Sequence, residues 1–459
     1  MRVTWPERTQ SVRDIAACQS RTCGTTAQVG FLAIGNRVAP TLDARYKRVR
    51  LMTRTLTADL SAEDQMVQSC PDASPVKWHQ AHTTWFFETF VLRPFLPSYK
   101  PFREEFHRLF NSYYISLDED IPEKKSRASF SRPSLDEVMA FRAHVDREMG
   151  RLFAHPIEDE ASRRIVLGLS HEQQHQELAL SDIKHAFFTN PLRPAYRTCV
   201  LPEDRTYPSP ALAWLTFEGG LTEIGYSPNT SDPFEFCFDN ETPRHRVHLE
   251  PFKIANRGVT CREYLDFMLD GGYAQAGFWL SDGWETAKQL GWEAPLYWQH
   301  DSSDQTGWRV FTLGGWRALS ELIDTPVCHV SLFEADAFAR WSGCRLPTEA
   351  EWELAACREQ QRGNLLETGR LHPAAANGTP GIQQLFGDCW EWTASPYTGY
   401  PGYKSLPGAL GEYNGKFMSG QMILRGGSCV TPADHIRATY RNFFPPATRW
   451  QFSGIRLAN

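Results

Sequence analysis

Between about residues 44 and 200, apolar and polar positions alternate with the period of an amphipathic helix. Ser74 is expected to cap one helix with Pro75 in its first position, and Pro94 and Pro97 are expected to end it. Ser134–Glu137 has the pattern of a capping box that opens a further helix. Helices are predicted over residues 42–60, 75–92, 134–153 and 158–189. Because a long connection joins the second and third helices, the pattern predicts an up-and-down four-helix bundle.

The pattern changes after about residue 202, where Gly, Pro, Asn, Asp and Trp interrupt short alternating segments such as Arg246–Ile254. Helices are predicted within this part over residues 260–269, 331–341 and 348–357. The expected fold class is therefore an all-α bundle followed by an irregular α+β domain. We expect the bundle over residues 44–200, the second domain over 205–459, and a poorly ordered extension over 1–43.

The segment Leu167–Leu178 contains the most informative polar positions of the chain. His171 and His175 are one helical turn apart and project from one face, which Gln174 shares. Buried polar groups need partners, and two imidazoles on adjacent turns can bind one metal ion. The sequence therefore predicts a metal site that needs at least one more ligand from elsewhere.

The helix over residues 75–92 offers two candidates for that ligand, His79 and His82. His82 continues at helical spacing into Phe86 and Phe90, but periodicity alone does not choose between the two histidines. The alternative is that the histidines are only solvated or core residues.

The pattern His171-Glu172-x-x-His175 also matches the zinc-protease helix motif, in which the glutamate activates water. No Gly-x-x-His continuation follows His175, which disfavours a zinc-dependent hydrolase.

Composition narrows the class of protein further. A chain of 459 residues with 41% hydrophobic content predicts two well-packed globular domains. A net charge of −6 and the lack of a basic stripe argue against nucleic-acid and membrane partners. Eleven scattered cysteines without a C-x-x-C pair indicate reduced thiols, and no apolar run reaches membrane-spanning length, so a cytoplasmic location is expected.

Several motifs of the second half resemble the formylglycine-generating-enzyme (sulfatase-modifying factor) fold, which is related to C-type lectins. They are Phe238–Val247, Arg345–Trp352, Trp390–Thr393, Leu424–Ser428 and Gly454–Leu457. The first half resembles a DinB-like four-helix bundle. This pair of domains resembles the ergothioneine-biosynthesis sulfoxide synthases, also called hercynine oxygenases.

The resemblance implies a non-haem Fe(2+) held by His82, His171 and His175, and it breaks the tie between His79 and His82. Gln174 is implied to hydrogen-bond the substrate imidazole. The implied reaction joins the sulfur of cysteine or γ-glutamylcysteine to imidazole C2 of hercynine and oxidises that sulfur, consuming one O2. Three imidazoles leave open positions on the ion for both substrates and O2.

The resemblance also implies further site residues. The Tyr113-Tyr114 pair matches the subclass that keeps its catalytic tyrosine on the bundle loop, although packing alone is an alternative for both rings. Asn442, Phe443 and Phe444 match the loop that closes the substrate pocket, where aromatic faces suit the trimethylammonium group of hercynine. Candidates for binding substrate carboxylates are Arg127, Arg132, Arg441 and Arg449.

The sequence gives less support to other functions. A formylglycine-generating enzyme needs a cysteine pair after Arg-Gly-Gly-Ser, whereas only Cys429 follows that motif here. An ovothiol-type sulfoxide synthase acting on histidine often carries an added methyltransferase domain, for which the chain has no room after Asn459. A non-catalytic binding module would not need the histidine helix and the tyrosine loop. The Tyr-Tyr subclass favours free cysteine as the thiol donor.

Overall fold

A computed structural model describes the backbone of Thr9–Gln10 and residues 41–118, 120–198, 208–228 and 235–459. Most of the extension expected over residues 1–43 therefore lies outside the described residues. The helices of the first half are α1 (Leu42–Thr57), α2 (Val76–Phe87), α3 (Arg93–Phe95), α4 (Glu105–Leu109), α5 (Leu135–Phe153) and α6 (Asp159–Thr189). Of these, the four long helices α1, α2, α5 and α6 correspond to the four that the sequence predicts.

The long helices pack around an aromatic core. Both α1 and α2 pack against α6, and α2 also packs against α5. Trp85, Phe86 and Phe87 of α2 are fully buried between these neighbours, as is Phe141 of α5. The predicted capping box opens α5, where Ser134 and Glu137 bond each other's backbone. Burial of this aromatic surface supplies the main stabilisation of the bundle.

The start and end of α2 differ from the prediction. Pro75, not Ser74, is the N-cap, because the Ser74 hydroxyl accepts a hydrogen bond from Arg127 Nη1 at 2.8 Å instead of capping the helix. At its other end, α2 continues through a π-helical turn at Glu88–Leu92 into α3, which contains Pro94. Pro94 has no N–H to continue the helix, and the carbonyl of Phe90, four residues earlier, accepts from Arg164 Nη1 at 3.3 Å instead.

A glycine lets α2 and α6 approach closely near the middle of the bundle. A Cβ atom at Gly168 would lie 2.7 Å from the Phe87 ring and 2.9 Å from the Phe86 ring. A larger residue here would push the helices apart. Because Gly168 is one turn before His171, this contact sets how closely the histidines of the two helices approach.

The second half is an α+β domain, as expected. Its helices are α7 (Cys261–Leu269), α8 (Ser281–Leu290), α9 (Leu319–Leu322), α10 (Leu332–Trp341) and α11 (Glu349–Ala356). The strands of the described chain are β1 (Thr9–Gln10), β2 (Trp214–Phe217), β3 (Gly220–Ile224), β4 (His245–Leu249), β5 (Phe252–Ala255), β6 (Trp298–His300), β7 (Trp308–Thr312), β8 (Gly315–Ala318), β9 (Trp390–Pro396), β10 (Met422–Arg425), β11 (Asn442–Phe444) and β12 (Ser453–Gly454). The three predicted helices are present as α7, α10 and α11, and each begins with a capping box.

Short sheets take the place of one large sheet. They have the orders β1-β2-β5, β3-β4, β6-β7-β8 and β11-β10-β9-β12. In the last of these, β10 is antiparallel to both β9 and β11, and β12 is parallel to β9. This sheet faces the bundle, since Trp390 of β9 donates from Nε1 to Glu177 of α6. None of the helices in the described ranges is both long enough and apolar enough to cross a membrane.

Candidate metal centre

Three histidines from two helices converge at the centre of the bundle. His82 of α2 and His171 and His175 of α6 each offer one ring nitrogen, and these atoms lie within 4.8 Å of one another. His82 and His171 are almost completely buried, and His175 is partly accessible. In the part of the chain that the structure describes, this is the only such group of three histidine, cysteine or acidic residues.

The ring nitrogens of this group are available to a metal. His82 Nδ1 lies 2.6 Å from the carbonyl oxygen of Phe110, to which it donates, so its Nε2 is left for a ligand. Neither ring nitrogen of His171 has a hydrogen-bond partner among the described residues, although both are buried. Unpartnered buried polar atoms are costly, and a bound ion would satisfy one of them.

The electrostatics keep these imidazoles neutral. Burial lowers the pKa of His171 to about 3. Burial, followed by the neighbouring His171, also lowers the pKa values of His82 and His175 well below the ordinary histidine value. Neutral imidazole is the form that binds a transition metal. The group therefore fits a metal ion that prefers nitrogen ligands.

His79, the alternative ligand, lies beside this group and bonds to one of its members. Its Nδ1 is 2.7 Å from Nδ1 of His175, and its Nε2 is 3.0 Å from Oδ2 of Asp182. Both of its nitrogens are thus engaged, and the geometry groups His82 with His171 and His175.

Glu172 lies about 100° around α6 from His171, on the side that packs against α1 and α5. Its carboxylate accepts hydrogen bonds from Arg50 Nη1 at 2.9 Å, Arg142 Nη2 at 3.0 Å and Thr53 Oγ1 at 2.6 Å. Burial raises the pKa of Glu172, but Arg50 and Arg142 outweigh it and bring the pKa down to about 2. A carboxylate fixed in this way cannot serve as a water-activating base beside the histidines, so the zinc-protease interpretation of this motif is wrong.

A cavity of about 480 Å³ lies between the two halves of the molecule, with His171 and His175 in its wall. Gln174 is held at this wall by two tyrosines of the second half. Its Nε2 donates to the Tyr440 hydroxyl at 2.6 Å, and its Oε1 accepts a hydrogen bond from the Tyr413 hydroxyl. The amide is therefore fixed in one orientation.

The rings of the two loop tyrosines are neighbours, with centroids 4.7 Å apart, but their other surroundings differ. Tyr113 lines the cavity, and its ring contacts Tyr413 and Phe417 of the second half. Tyr114 is fully buried and packs on Trp85 and Phe90 in the bundle core. Burial raises the pKa of both tyrosines well above the ordinary value, so both stay protonated.

The predicted pocket-closing residues are also at the cavity. Asn442, Phe443 and Phe444 form β11 and line the same cavity as His171 and His175. Phe443 stacks on Tyr397 with the ring centroids 3.9 Å apart, and Phe444 meets Trp450 edge to face at 5.9 Å. The second half therefore contributes an aromatic wall to the cavity, and the bundle contributes a histidine wall.

The candidate arginines are not equivalent. Arg127 lines the cavity, and its guanidinium lies 3.4 Å from the centroid of the Trp78 ring. Its Nη2 donates to Ser112 Oγ at 3.0 Å. Arg132, in contrast, is exposed and is not among the residues that line the cavity, so its role in binding a substrate carboxylate stays a prediction.

The two arginines of the second half are held by protein carboxylates. Arg441 is at the cavity edge, but its Nε donates to Glu349 at 2.9 Å. Arg449 lies 3.0 Å from Glu334. Their charges are already neutralised.

Sequence reasoning missed the residues of the second half that reach into the site. Tyr413 and Tyr440 lie outside strands and helices, and no periodic pattern marks them. Trp390 lies in a quoted motif, but the motif does not indicate that this side chain reaches α6.

Comparisons with known proteins identify the family to which the chain belongs. The sulfatase-modifying factor enzyme 1-like domain model matches residues 202–379 and 368–459. A hercynine oxygenase of Mycobacterium tuberculosis is 32% identical over 438 residues, which cover 89% of this chain and 96% of that protein. The chain belongs to the hercynine oxygenase family. A second hercynine oxygenase, from Mycolicibacterium smegmatis, is 31% identical over 84% of this chain and 91% of its own length.

Another group of relatives is similar mainly to the second half. A formylglycine-generating enzyme of Streptomyces coelicolor is 36% identical over 270 residues, which cover 48% of this chain and 82% of that protein. The hercynine oxygenases are matched over both halves.

Proposed function

We propose that this protein is a non-haem iron(II)- and O2-dependent sulfoxide synthase of ergothioneine biosynthesis. It joins the sulfur of cysteine, or of γ-glutamylcysteine, to imidazole C2 of hercynine and oxidises that sulfur. The bundle that supplies the metal ligands is proposed to be of the DinB type. The observation that carries the proposal is the group of three histidines in the bundle, two of which line the cavity between the halves, with both His171 nitrogens unpartnered among the described residues.

The reaction balances with one O2. The bonds C2–H and S–H are lost, a C–S bond forms, one oxygen atom enters the sulfoxide and the other leaves as water. His82, His171 and His175 would hold Fe(II), which when bound supplies O2 activation and a binding position for the thiol sulfur.

Gln174 is suited to orient the imidazole of hercynine. One of the two Nε2 hydrogens is used by Tyr440, and Oε1 accepts from Tyr413. The second Nε2 hydrogen is left for a substrate ring nitrogen. The fixed amide would place imidazole C2 in one position relative to the histidines.

Tyr113 is the proton donor in this proposal. It lines the cavity, and burial raises its pKa, so it holds its proton until a more basic oxygen is present beside it. Tyr114 is less suited because it packs into the bundle core.

The remaining substrate groups have matching surfaces. The rings of Phe443 and Phe444 at the cavity suit a trimethylammonium group, which cannot donate hydrogen bonds. Arg127, held by Ser112 and stacked on Trp78, is suited to bind the carboxylate of the thiol substrate.

The test is reconstitution with Fe(II) without oxygen, followed by O2 with hercynine and either thiol. The expected product has the mass of both substrates plus one oxygen atom less two hydrogen atoms. Histidine in place of hercynine tests the ovothiol-type alternative. Formation of disulfide alone, with every thiol and imidazole substrate, would contradict the proposal.

A further inference from the structure

A chain of hydrogen bonds runs from a buried carboxylate to one of the three histidines. Asp182, two turns after His175 on α6, accepts from the Ser74 backbone N–H at 2.8 Å and pairs with His79 Nε2 at 3.0 Å, both through Oδ2. His79 Nδ1 then pairs with His175 Nδ1 at 2.7 Å. His79 and Asp182 are both buried, although each lines the cavity.

The chemistry of these groups fixes the direction of each bond. A carboxylate accepts only, so His79 must carry its proton on Nε2 and donate it to Asp182. In the neutral tautomer that carries this proton, His79 has a lone pair on Nδ1, which can only accept. His175 must therefore donate from Nδ1, and this leaves the lone pair of His175 on Nε2.

We propose that Asp182 and His79 are positioning residues that set the tautomer and ring orientation of His175 so that its Nε2 faces the metal. This inference rests on the proposed function, since it assumes a metal at the three histidines. Outer partners of this kind commonly contribute 10- to 100-fold to metal affinity, because a ligand with a fixed ring needs no reorientation on binding.

His82 has a comparable but simpler arrangement, in which Nδ1 donates to the Phe110 carbonyl. His171 has no such partner among the described residues. The three histidines thus differ in how their rings are held. Asp182 and His79 hold His175, the most accessible of the three.

These hydrogen bonds also extend to the second half of the molecule. Trp450 Nε1 lies 3.2 Å from the other carboxylate oxygen of Asp182, and the Trp450 ring packs against Phe444 of β11. Asp182 therefore joins the aromatic wall of the cavity to the ligand helix. A change at Trp450 is expected to act on His175 through Asp182.

The test is Co(II) titration of the metal-free full chain, followed by visible absorption. His79→Phe keeps a ring but removes both nitrogens, and it is expected to weaken Co(II) binding about 10- to 100-fold and to shift the absorption bands. His79→Gln keeps one donor and one acceptor at similar separation and is expected to recover most of the affinity.

Matched controls separate this role from general stability. His185, on the same helix, bonds Ser69 Oγ at 2.7 Å, so His185→Phe removes a comparable hydrogen bond outside the chain of bonds to His175. It should leave Co(II) affinity and spectrum unchanged. Thermal unfolding of the metal-free variants shows whether each is folded, and Asp182→Asn serves as a second probe if His79→Phe does not fold.

The outcomes distinguish the two proposals. If the wild-type protein binds no Co(II) at the histidines, the proposed function fails. If it binds Co(II) and both His79→Phe and Asp182→Asn show wild-type affinity and spectrum, the positioning role alone is overturned.

Discussion

The two faces of α6 treat their buried polar groups in opposite ways. On the face toward α1 and α5, Glu172 accepts from Arg50, Arg142 and Thr53. On the face toward the cavity, His171 is equally buried, but neither ring nitrogen has a partner in the described chain. His171 and Glu172 are adjacent in sequence and equally buried, so burial alone does not reveal that their roles differ.

The difference distinguishes a structural network from a binding site. A network of buried charges in which every group has a partner holds the helices in one arrangement and leaves no atom free to bind a ligand. A buried imidazole without a partner is unfavourable in the metal-free protein, and binding an ion relieves that cost. Each side chain on α6 can therefore be assigned a role from its partners, and each assignment can be tested by substitution.

The largest effect on metal binding is expected from a substitution on the cavity face of α6. His171→Leu removes one of three ligands while keeping an apolar side chain beside Phe86, whose ring centroid lies 4.9 Å away. Fe(II) affinity and sulfoxide formation are expected to fall by more than the roughly 100-fold typical of an outer partner. Because no hydrogen bond is lost, the free energy of unfolding of the metal-free protein should be unchanged or higher. Marked destabilisation would show that His171, like Glu172, stabilises the folded protein, and the distinction between the two faces would fail.

On the face toward α1 and α5, a substitution is expected to lower stability. Glu172→Gln leaves the buried Arg142 without its counter-charge and Arg50 with Asp146 alone, which should lower the free energy of unfolding by about 3–5 kcal/mol. Glu160→Gln is the matched control on the same helix, because its pairs with Arg163 and Arg164 are exposed and contribute at most about 1 kcal/mol. Urea denaturation measures both. Equal effects of the two substitutions would remove the distinction between buried network and surface pair.

The tyrosine pair extends the comparison to the loop. Tyr113→Phe is expected to reduce sulfoxide formation by about 100-fold and to divert turnover to thiol oxidation, since a positioned acid contributes this much. Tyr114→Phe removes a hydroxyl beside Tyr113 that is not at the cavity wall, so the product ratio should change less than in Tyr113→Phe. Mass analysis of the products measures the ratio. A larger loss in Tyr114→Phe would reverse the assignment.

Much of this arrangement could be predicted from local sequence patterns. The spacing of His171 and His175 and the capping box at Ser134 depend on neighbours within one or two helical turns. Ser74 was misassigned because its hydroxyl accepts from Arg127, far along the chain. The placement of Tyr413 depends on how the second half docks on α6, which no local period encodes. Local rules thus predict elements, whereas long-range contacts complete the site.

The smallest effects are expected at the two loop arginines, which sequence alone could not separate. Arg127 is held by two serines and stacked on Trp78 at the cavity, so Arg127→Met should raise the KM for the thiol substrate with a smaller change in kcat. Arg132 is exposed, and Arg132→Met should change stability by no more than about 0.5 kcal/mol and leave both constants unaltered. Steady-state kinetics with cysteine and γ-glutamylcysteine measure both. A raised KM in Arg132→Met alone would mean that the thiol carboxylate binds outside the cavity, and the histidine wall and the aromatic wall would then enclose hercynine only.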